Sequence, residues 1–244
     1  MLMRCICAEV RKLRGSAVWL VFLLVPLISA AYGTVNYLQN LGLLREEWYS
    51  LYTQHTLFYA MFFFSPMLGL YAAYMWRLEH LGHNMNTLMA APVPRMDVFL
   101  AKGIVVSAMA ALTQLWVFAL YIVCGKAFAH LPGWPDVRLL LWMLRGTLGA
   151  MPVAALELLL AMCIRSFAVP VLIALGGGVA SVAAVNTGRG LLWPYALMLL
   201  GMNANRSEDV LAGSGAAFCV SCAVFTLAFL GLALRLLRTR DVRA

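Results

Sequence analysis

Charged residues are scarce in this chain: only 11% of its 244 residues are Asp, Glu, Lys or Arg, whereas 64% are hydrophobic. A soluble globular domain carries about 25% charged residues. A soluble fold of this size cannot bury so much apolar surface, so we expect lipid to be its solvent. No polar block is large enough to fold alone, and we therefore predict one membrane domain over residues 1–244.

The chain also lacks the common enzyme motifs. It has neither a Gly-x-x-x-x-Gly-Lys-Ser/Thr phosphate loop nor a His-Glu-x-x-His zinc motif. Glu46-Glu47 resembles the start of a membrane-protease motif, but Leu51 stands where that motif has an arginine. Because no convergent set of catalytic groups is visible, we expect no catalytic residue, and an intramembrane enzyme is the least favoured function.

Cysteine and histidine give no strong signal for a disulfide or a metal. The six cysteines mostly lie in or beside apolar stretches, where cysteine usually behaves as a small hydrophobe. His80 and His83 are three residues apart on a probable helix and are able to face one metal ion. No third ligand is evident nearby, so solvated or interface histidines are favoured and no metal site is predicted.

The apolar residues fall into six runs that are long enough to cross a bilayer at about 1.5 Å of rise per residue. We predict an all-α polytopic membrane protein with spans at 17–37, 55–76, 103–126, 138–164, 167–187 and 213–236. In residues 1–16, Leu2, Ile6 and Val10 recur at helical spacing. This pattern indicates an amphipathic helix on the membrane surface, with a plain charged flank to the first span as the alternative.

Residues 191–202 are apolar but number only twelve. A helix of that length covers about 18 Å, which is too short to cross the membrane. We predict that the external segment 188–212 contains a re-entrant or interfacial helix just before the last span. Counting it as a seventh span would place the basic C-terminus outside.

The distribution of basic residues predicts the orientation. With both termini in the cytoplasm, twelve basic residues lie inside and five lie in external loops. This excess matches the positive-inside rule. The cytoplasmic set is Arg4, Arg11, Lys12, Arg14, Arg77, Arg95, Lys102, Arg165, Arg235, Arg238, Arg240 and Arg243.

Two ionisable residues, Arg145 and Glu157, fall inside the fourth span. Charges at membrane depth are costly and usually face protein or water. Their spacing of twelve residues is about 18 Å along a helix, too far for a direct pair. Either residue is a candidate for a translocation pathway or subunit interface; snorkelling is the alternative, especially for Arg145. Phe58 and Phe62 are weaker pathway candidates, because lipid contact or helix packing is the favoured explanation for them.

The segment 77–102 is the main predicted cytoplasmic loop. Glu79 follows the second span, and Leu81, Met85, Leu88 and Met89 recur at helical spacing before Pro92 and Pro94 end the helix. A short helix with an exposed Leu/Met stripe can insert into a groove on a partner. A helix lying on the membrane surface is the alternative.

At this loop the sequence resembles the membrane subunits of type-2 ABC exporters. The matching residues are Glu9-Val10-Arg11-Lys12 before the first span, Glu79 after the second, Ala91-Pro92-Val93-Pro94-Arg95, and Ala101-Lys102. Within that superfamily the chain is similar to permeases of lantibiotic-immunity and bacitracin-resistance transporters. The resemblance implies a bacterial cytoplasmic-membrane permease that exports a lantibiotic or another amphipathic peptide for self-protection.

The resemblance also implies the partners. It implies two permeases, either identical or related, and two ABC ATPase subunits that bind ATP and magnesium; no cofactor is expected in this chain, and no nucleic acid. The residues implied in ATPase coupling are Glu79, His80, His83, Asn84 and Leu88. A sensor or scaffold without transport is the second functional hypothesis.

Overall fold

The computed structural model describes residues 1–45, 47–81, 84–90, 92–206 and 208–239, and only the backbone of Asn86, Leu88 and Met89. The helices are α1 (Leu2–Leu13), α2 (Val18–Gln39), α3 (Trp48–His80), α4 (Asn84–Ala90), α5 (Arg95–Ala127), α6 (Val137–Cys163), α7 (Ala168–Asn186), α8 (Ala196–Gly201) and α9 (Gly215–Thr239). A 3-10 turn occupies Gly190–Leu192, and these residues contain no β-strand.

Six of these helices, α2, α3, α5, α6, α7 and α9, are long and apolar enough to cross a membrane. The predicted all-α, six-span class is therefore confirmed, and the protein is a multi-pass membrane protein. Two helices start seven or eight residues earlier than predicted: α3 at Trp48 rather than residue 55, and α5 at Arg95 rather than residue 103. The polar ends of these helices continue because they find partners in the fold; the Trp48 indole, for example, donates to the Pro132 carbonyl at 2.8 Å.

One end of the helix bundle gathers the N-terminal helix and the basic helix ends, and we call it the basic end. Lys12 of α1 contacts Glu79 near the end of α3 at 2.6 Å. Arg95, the first residue of α5, donates to the carbonyl of Leu237 near the end of α9. Helix α1 and the last turns of α9 therefore lie at the same end, as an even number of spans requires. That this end faces the cytoplasm stays a prediction.

Helices α3 and α7 approach each other closely at a π-helical segment of α3, Tyr59–Phe64. The Ser65 hydroxyl donates to the Ala174 carbonyl of α7 at 2.5 Å. At Gly178 an added Cβ would lie 2.5 Å from the Met61 carbonyl oxygen, so only glycine fits there. Gly178, in the glycine run 176–178, thus serves helix packing, as its apolar setting indicates.

The segment between α7 and α9, residues 188–212, folds back into the protein. In α8, Ala196, Leu197 and Met198 are fully buried. The Tyr52 hydroxyl of α3 donates to the Met202 carbonyl at 2.7 Å, just after α8. This connecting segment is therefore part of the protein core at the end opposite the basic end, and its depth in the bilayer stays a prediction.

Candidate functional site

Four charged side chains at the basic end form a closed ring, which we call the ion ring: Glu9, Lys12, Glu79 and Lys102. Lys12 contacts Glu9 at 2.7 Å and Glu79 at 2.6 Å. Lys102 contacts the same two carboxylates at 3.0 and 2.7 Å. Acids and bases alternate around the ring, so its formal charges cancel. The ring joins three helices: α1, α3 and α5.

Lys102 is the most deeply placed member of the ion ring, with a fully buried side chain. Its ammonium group also donates to the Met75 carbonyl at 2.6 Å, so all three of its donors are used. The same nitrogen lies 4.8 Å from the centre of the Trp76 ring, within range of a cation–π contact. A buried lysine is tolerated here because every proton on its nitrogen has an acceptor.

Lys12 belongs to α1, outside the membrane spans, and stays charged through neutral pH. Burial is the largest influence on the pKa of Lys12 and lowers it. Hydrogen bonds to Glu79 and Glu9 outweigh burial, so the pKa is raised above its ordinary value. The stabilisation by Lys12 is therefore fully present below the unfolded-state pKa and is lost only as pH rises through the folded-state pKa.

The predicted coupling residues take different positions. Glu79 is buried in the ion ring and presents no surface to a partner. His80 is half-buried, and its Nε2 lies 2.7 Å from the Ala161 carbonyl of α6. Asn84 is exposed and donates to the Leu78 carbonyl at 3.0 Å. His83 and the side chain of Leu88 lie outside the described residues, and the coupling role of all five stays a prediction.

One residue of the predicted Leu/Met stripe on α4 faces inward. Met85 is fully buried in the hydrophobic core, so the expectation that it faces a partner is wrong. The physical reason is that the Met85 side chain packs back onto the hydrophobic core of its own chain. Among the side chains of α4 that the structure describes, the exposed ones are Asn84, Thr87 and Ala90, which recur every three residues and therefore share one face.

Arg145 holds the connecting segment near the end opposite the basic end. Its guanidinium forms two hydrogen bonds to the Asp209 carboxylate, at 3.0 and 2.8 Å, and a third to the Gly201 carbonyl at 2.9 Å. The hydrogen bond from Arg145 is the main reason why the pKa of Asp209 is lowered, against a smaller opposing effect of burial. This geometry places Arg145 toward the external segment, the direction of the snorkelling alternative.

Glu157 holds the same segment from deeper in the bundle. The Tyr195 hydroxyl donates to Glu157 Oε1 at 2.5 Å, and Glu157 is fully buried. The Tyr195 ring packs over Gly177, where an added Cβ would lie 2.5 Å from the ring. Arg145 and Glu157 thus do not pair with each other; both fix the connecting segment onto α6.

We expect Tyr195→Phe to destabilise the protein by about 1–3 kcal/mol, because it leaves the buried Glu157 carboxyl without its hydroxyl partner. The thermal unfolding midpoint in detergent, followed by tryptophan fluorescence, measures this loss. Tyr32→Phe is the control, since Tyr32 is 50% exposed. Equal midpoints for Tyr195→Phe and the wild type would show that the hydrogen bond contributes nothing.

A model of a protein family, the ABC-2 family transporter protein, matches residues 5–181, more than two thirds of the chain. The chain belongs to the ABC-2 transporter family. It is a permease of an ABC transporter, the membrane component of the system and not its catalytic subunit. Comparison with the curated proteins finds no match.

The matched part of the permease contains all four members of the ion ring and both residues of α6 that hold the connecting segment. The family implies association with an ABC ATPase. The match ends within α7, so the connecting segment and α9 lie beyond it. The ion ring and the two α6 residues therefore fall in the region by which the family is recognised, whereas Tyr195 and Asp209 do not.

Phe58 and Phe62, the aromatic pathway candidates, lie on the outer side of α3 in this permease. Their rings stack at 6.2 Å, and Phe62 is 41% exposed. The Tyr32 ring of α2 meets Phe58 edge-on at 4.8 Å. Tyr59, which is fully buried, points the opposite way. The pathway role of Phe58 and Phe62 stays a prediction.

Sequence reasoning named the four ring residues as matches to a family pattern but did not bring them together. The available signal was the charge balance: two acids and two bases stand beside or within apolar helices, where an unpaired charge is costly. The roles of Tyr195 and Asp209 were missed entirely. Both lie in an irregular segment whose path the helical period does not specify.

Proposed function

We propose that this permease exports a lantibiotic or another amphipathic peptide from a bacterial cytoplasmic membrane, as self-protection, with two ATPase subunits and a second permease, identical or related. The ATPases bind ATP and magnesium. The resemblance to lantibiotic-immunity and bacitracin-resistance permeases supports this substrate class. The basic end faces the cytoplasm in this proposal, because it carries most of the arginines and lysines.

The observation that carries the proposal is the ion ring. A partner that moves α4 moves the end of α3 and the start of α5, because α4 lies between them in the chain. The ring ties both helix ends to α1 through contacts of 2.6–3.0 Å. The three helices therefore shift as one rigid unit, which is how a local push becomes a change of the whole bundle.

In this mechanism Glu79 acts inside the permease and not by touching the ATPase. The contact surface is the exposed face of α4: Asn84, Thr87 and Ala90. Buried Met85 anchors that helix to the core, so a force on the exposed face reaches α3 and α5. ATP binding draws the two ATPases together and favours the permease state that fits the closed pair.

Photo-cross-linking tests the contact surface directly. A benzoyl-phenylalanine at position 87 should cross-link, in the native host, to a protein that carries a Gly-x-x-x-x-Gly-Lys-Ser/Thr phosphate loop. The same probe at Leu43, which is 89% exposed at the opposite end, should not capture that protein. A sensor or scaffold that lacks an ATPase partner would give no such product from position 87.

We expect Thr87→Trp to reduce the amount of co-purified ATPase at least tenfold, about 1.4 kcal/mol of binding free energy, because the larger side chain obstructs the exposed face of α4. Quantitative mass spectrometry of the tagged complex measures this ratio. Leu43→Trp is the matched control and should leave the ratio unchanged. An unchanged ratio of ATPase to permease in Thr87→Trp would show that the ATPase does not bind the exposed face of α4.

Growth in the presence of a lantibiotic tests the direction and substrate of transport. A sensitive bacterium that expresses the permease with its captured ATPase should tolerate more peptide than cells with the permease alone. Replacing the phosphate-loop lysine of the ATPase should abolish the protection. Tolerance that is independent of that lysine would indicate sequestration, and no tolerance with a functional, hydrolysing complex would exclude this substrate class.

A further inference from the structure

An open groove lies between α1, the start of α2 and α5, with a volume of about 420 Å³. This volume falls in the usual range for ligand sites, about 300–1,000 Å³. Its walls are almost wholly apolar: Ile6, Val10 and Leu13 from α1, Trp19 from α2, and Ile104, Val105, Ala108, Met109 and Leu112 from α5. Neither the ion ring nor the connecting segment contributes to it.

The groove is long and faces the surroundings. Ile104, Ala108 and Leu112 are spaced four residues apart and form one stripe of about 12 Å along α5. Ile104 and Leu112 are 44% and 45% exposed. An extended hydrocarbon chain that lies parallel to α5 fits such a surface, because it covers the stripe without needing a hydrogen-bond partner.

Two arginines, Arg11 and Arg14, line the groove on α1. Helix α1 meets α5 at Lys102, through Glu9, whereas the apolar stripe continues to Leu112. The positive charges therefore stand at one end of an apolar channel. Among the ion pairs of the described residues none involves Arg11 or Arg14, so both guanidinium groups are available to an anion.

We propose that this groove is a binding site for an anionic phospholipid, with the phosphate headgroup on Arg11 and Arg14 and one acyl chain along Ile104–Leu112. Guanidinium groups bind phosphate oxygens through charge-assisted hydrogen bonds. The indole of Trp19, which is 37% exposed, donates to the Leu13 carbonyl at 2.9 Å, next to Arg14, and tryptophan suits the boundary between headgroups and hydrocarbon. The inference goes beyond the proposed export function and does not depend on the transported substrate.

The charges of the chain argue against a second copy as the occupant. In the described part of the basic end, Glu9 and Glu79 are consumed by the ion ring. In that described part, Asp97 is the remaining acidic residue of a second copy that could pair with Arg11 or Arg14. A membrane supplies anionic headgroups at high local concentration on its cytoplasmic face.

Native mass spectrometry of the detergent-purified protein tests the site, with dioleoyl-phosphatidylglycerol and dioleoyl-phosphatidylcholine as the two probes. We expect phosphatidylglycerol to bind more tightly by about fivefold per arginine, on the order of 30-fold in all. Arg11→Gln with Arg14→Gln should remove this preference. Arg4→Gln with Arg238→Gln removes the same total charge from exposed positions outside the groove and should preserve it.

A second variant tests the apolar part. Ala108→Phe fills the groove and should weaken both lipids at least fivefold, whereas Leu115→Phe, at a 48% exposed position of α5 outside the groove, should not. The proposal is overturned if the wild type binds the two lipids equally, or if both double variants lose the preference alike. It is also overturned if Ala108→Phe dissociates a permease dimer without changing lipid binding.

Discussion

Lys102→Met is expected to destabilise the permease by about 3–5 kcal/mol, among the largest losses for a single side chain of similar length. The substitution keeps an unbranched side chain in a fully buried position but removes the ammonium group. Glu9 and Glu79 then lose their shared buried cation, and breaking a buried ion pair from one side leaves an uncompensated charge. The Met75 carbonyl loses its donor as well. The thermal unfolding midpoint in detergent measures the effect.

Lys126→Met is the matched control, because Lys126 lies near the other end of the same helix. Its half-buried ammonium group donates to the Leu131 carbonyl at 3.2 Å and to the Gly133 carbonyl, and lies over the Trp48 and Trp134 rings. Among the described residues it forms no ion pair with a carboxylate. We expect a smaller loss of roughly 1–2 kcal/mol there, because neutral carbonyl acceptors and aromatic rings stay behind without an uncompensated buried charge. Losses of similar size at positions 102 and 126 would contradict the account of the ion ring.

A double-mutant cycle isolates the pairing from the packing. Glu79→Gln removes one carboxylate charge, so Lys102→Met combined with Glu79→Gln should cost less than the sum of the two single losses. We expect an interaction energy of about 1–3 kcal/mol for these contacting residues. Additive losses would mean that the 2.7 Å contact between Lys102 and Glu79 contributes no coupling.

The six spans were predictable because hydrophobic length is a one-dimensional property of the sequence. Helix ends were less predictable. The run of apolar residues predicted that the second span ends at residue 76, whereas α3 continues to His80. Glu79 and His80 remain helical because their side chains find polar partners that are distant in sequence. Lys102 pairs with Glu79, and the Ala161 carbonyl lies within hydrogen-bond distance of His80. Such partners are set by packing, which local periodicity does not encode.

The candidate site shows the same limit. Arg145 and Glu157 were recognisable as costly charges within the fourth span, and their spacing correctly excluded a direct pair. Their partners, Asp209 and Tyr195, come from an irregular segment that returns to α6. The path of this segment back to α6 depends on close backbone packing at glycines. The sequence alone does not reveal such packing, because a glycine in an apolar helix looks the same whether or not another backbone lies against it.

Gly149→Ala is expected to displace the connecting segment and to destabilise the permease by about 2 kcal/mol or more. An added Cβ at this position would lie 2.3 Å from the Leu197 carbonyl oxygen and 2.9 Å from the Met198 nitrogen. Both are backbone atoms of α8, so no side-chain rotation relieves the overlap and the short helix must move away from α6. Hydrogen exchange of peptides from 190–204 should accelerate together with the loss of stability.

Alanine substitutions at two other glycines, Gly146 and Gly176, serve as comparisons for Gly149→Ala. At Gly146 the nearest atom to an added Cβ is the flexible Met202 side chain, at 2.2 Å, so Gly146→Ala should cost less than Gly149→Ala. At Gly176 nothing lies within 4 Å, so Gly176→Ala should be neutral or stabilising by up to about 1 kcal/mol, the usual gain within a helix. This order of losses follows from what each methyl group meets. If hydrogen exchange in 190–204 stays slow in Gly149→Ala, close packing at this glycine does not hold α8 in place. The contacts of Arg145 and Glu157 would then be sufficient to hold the connecting segment on α6.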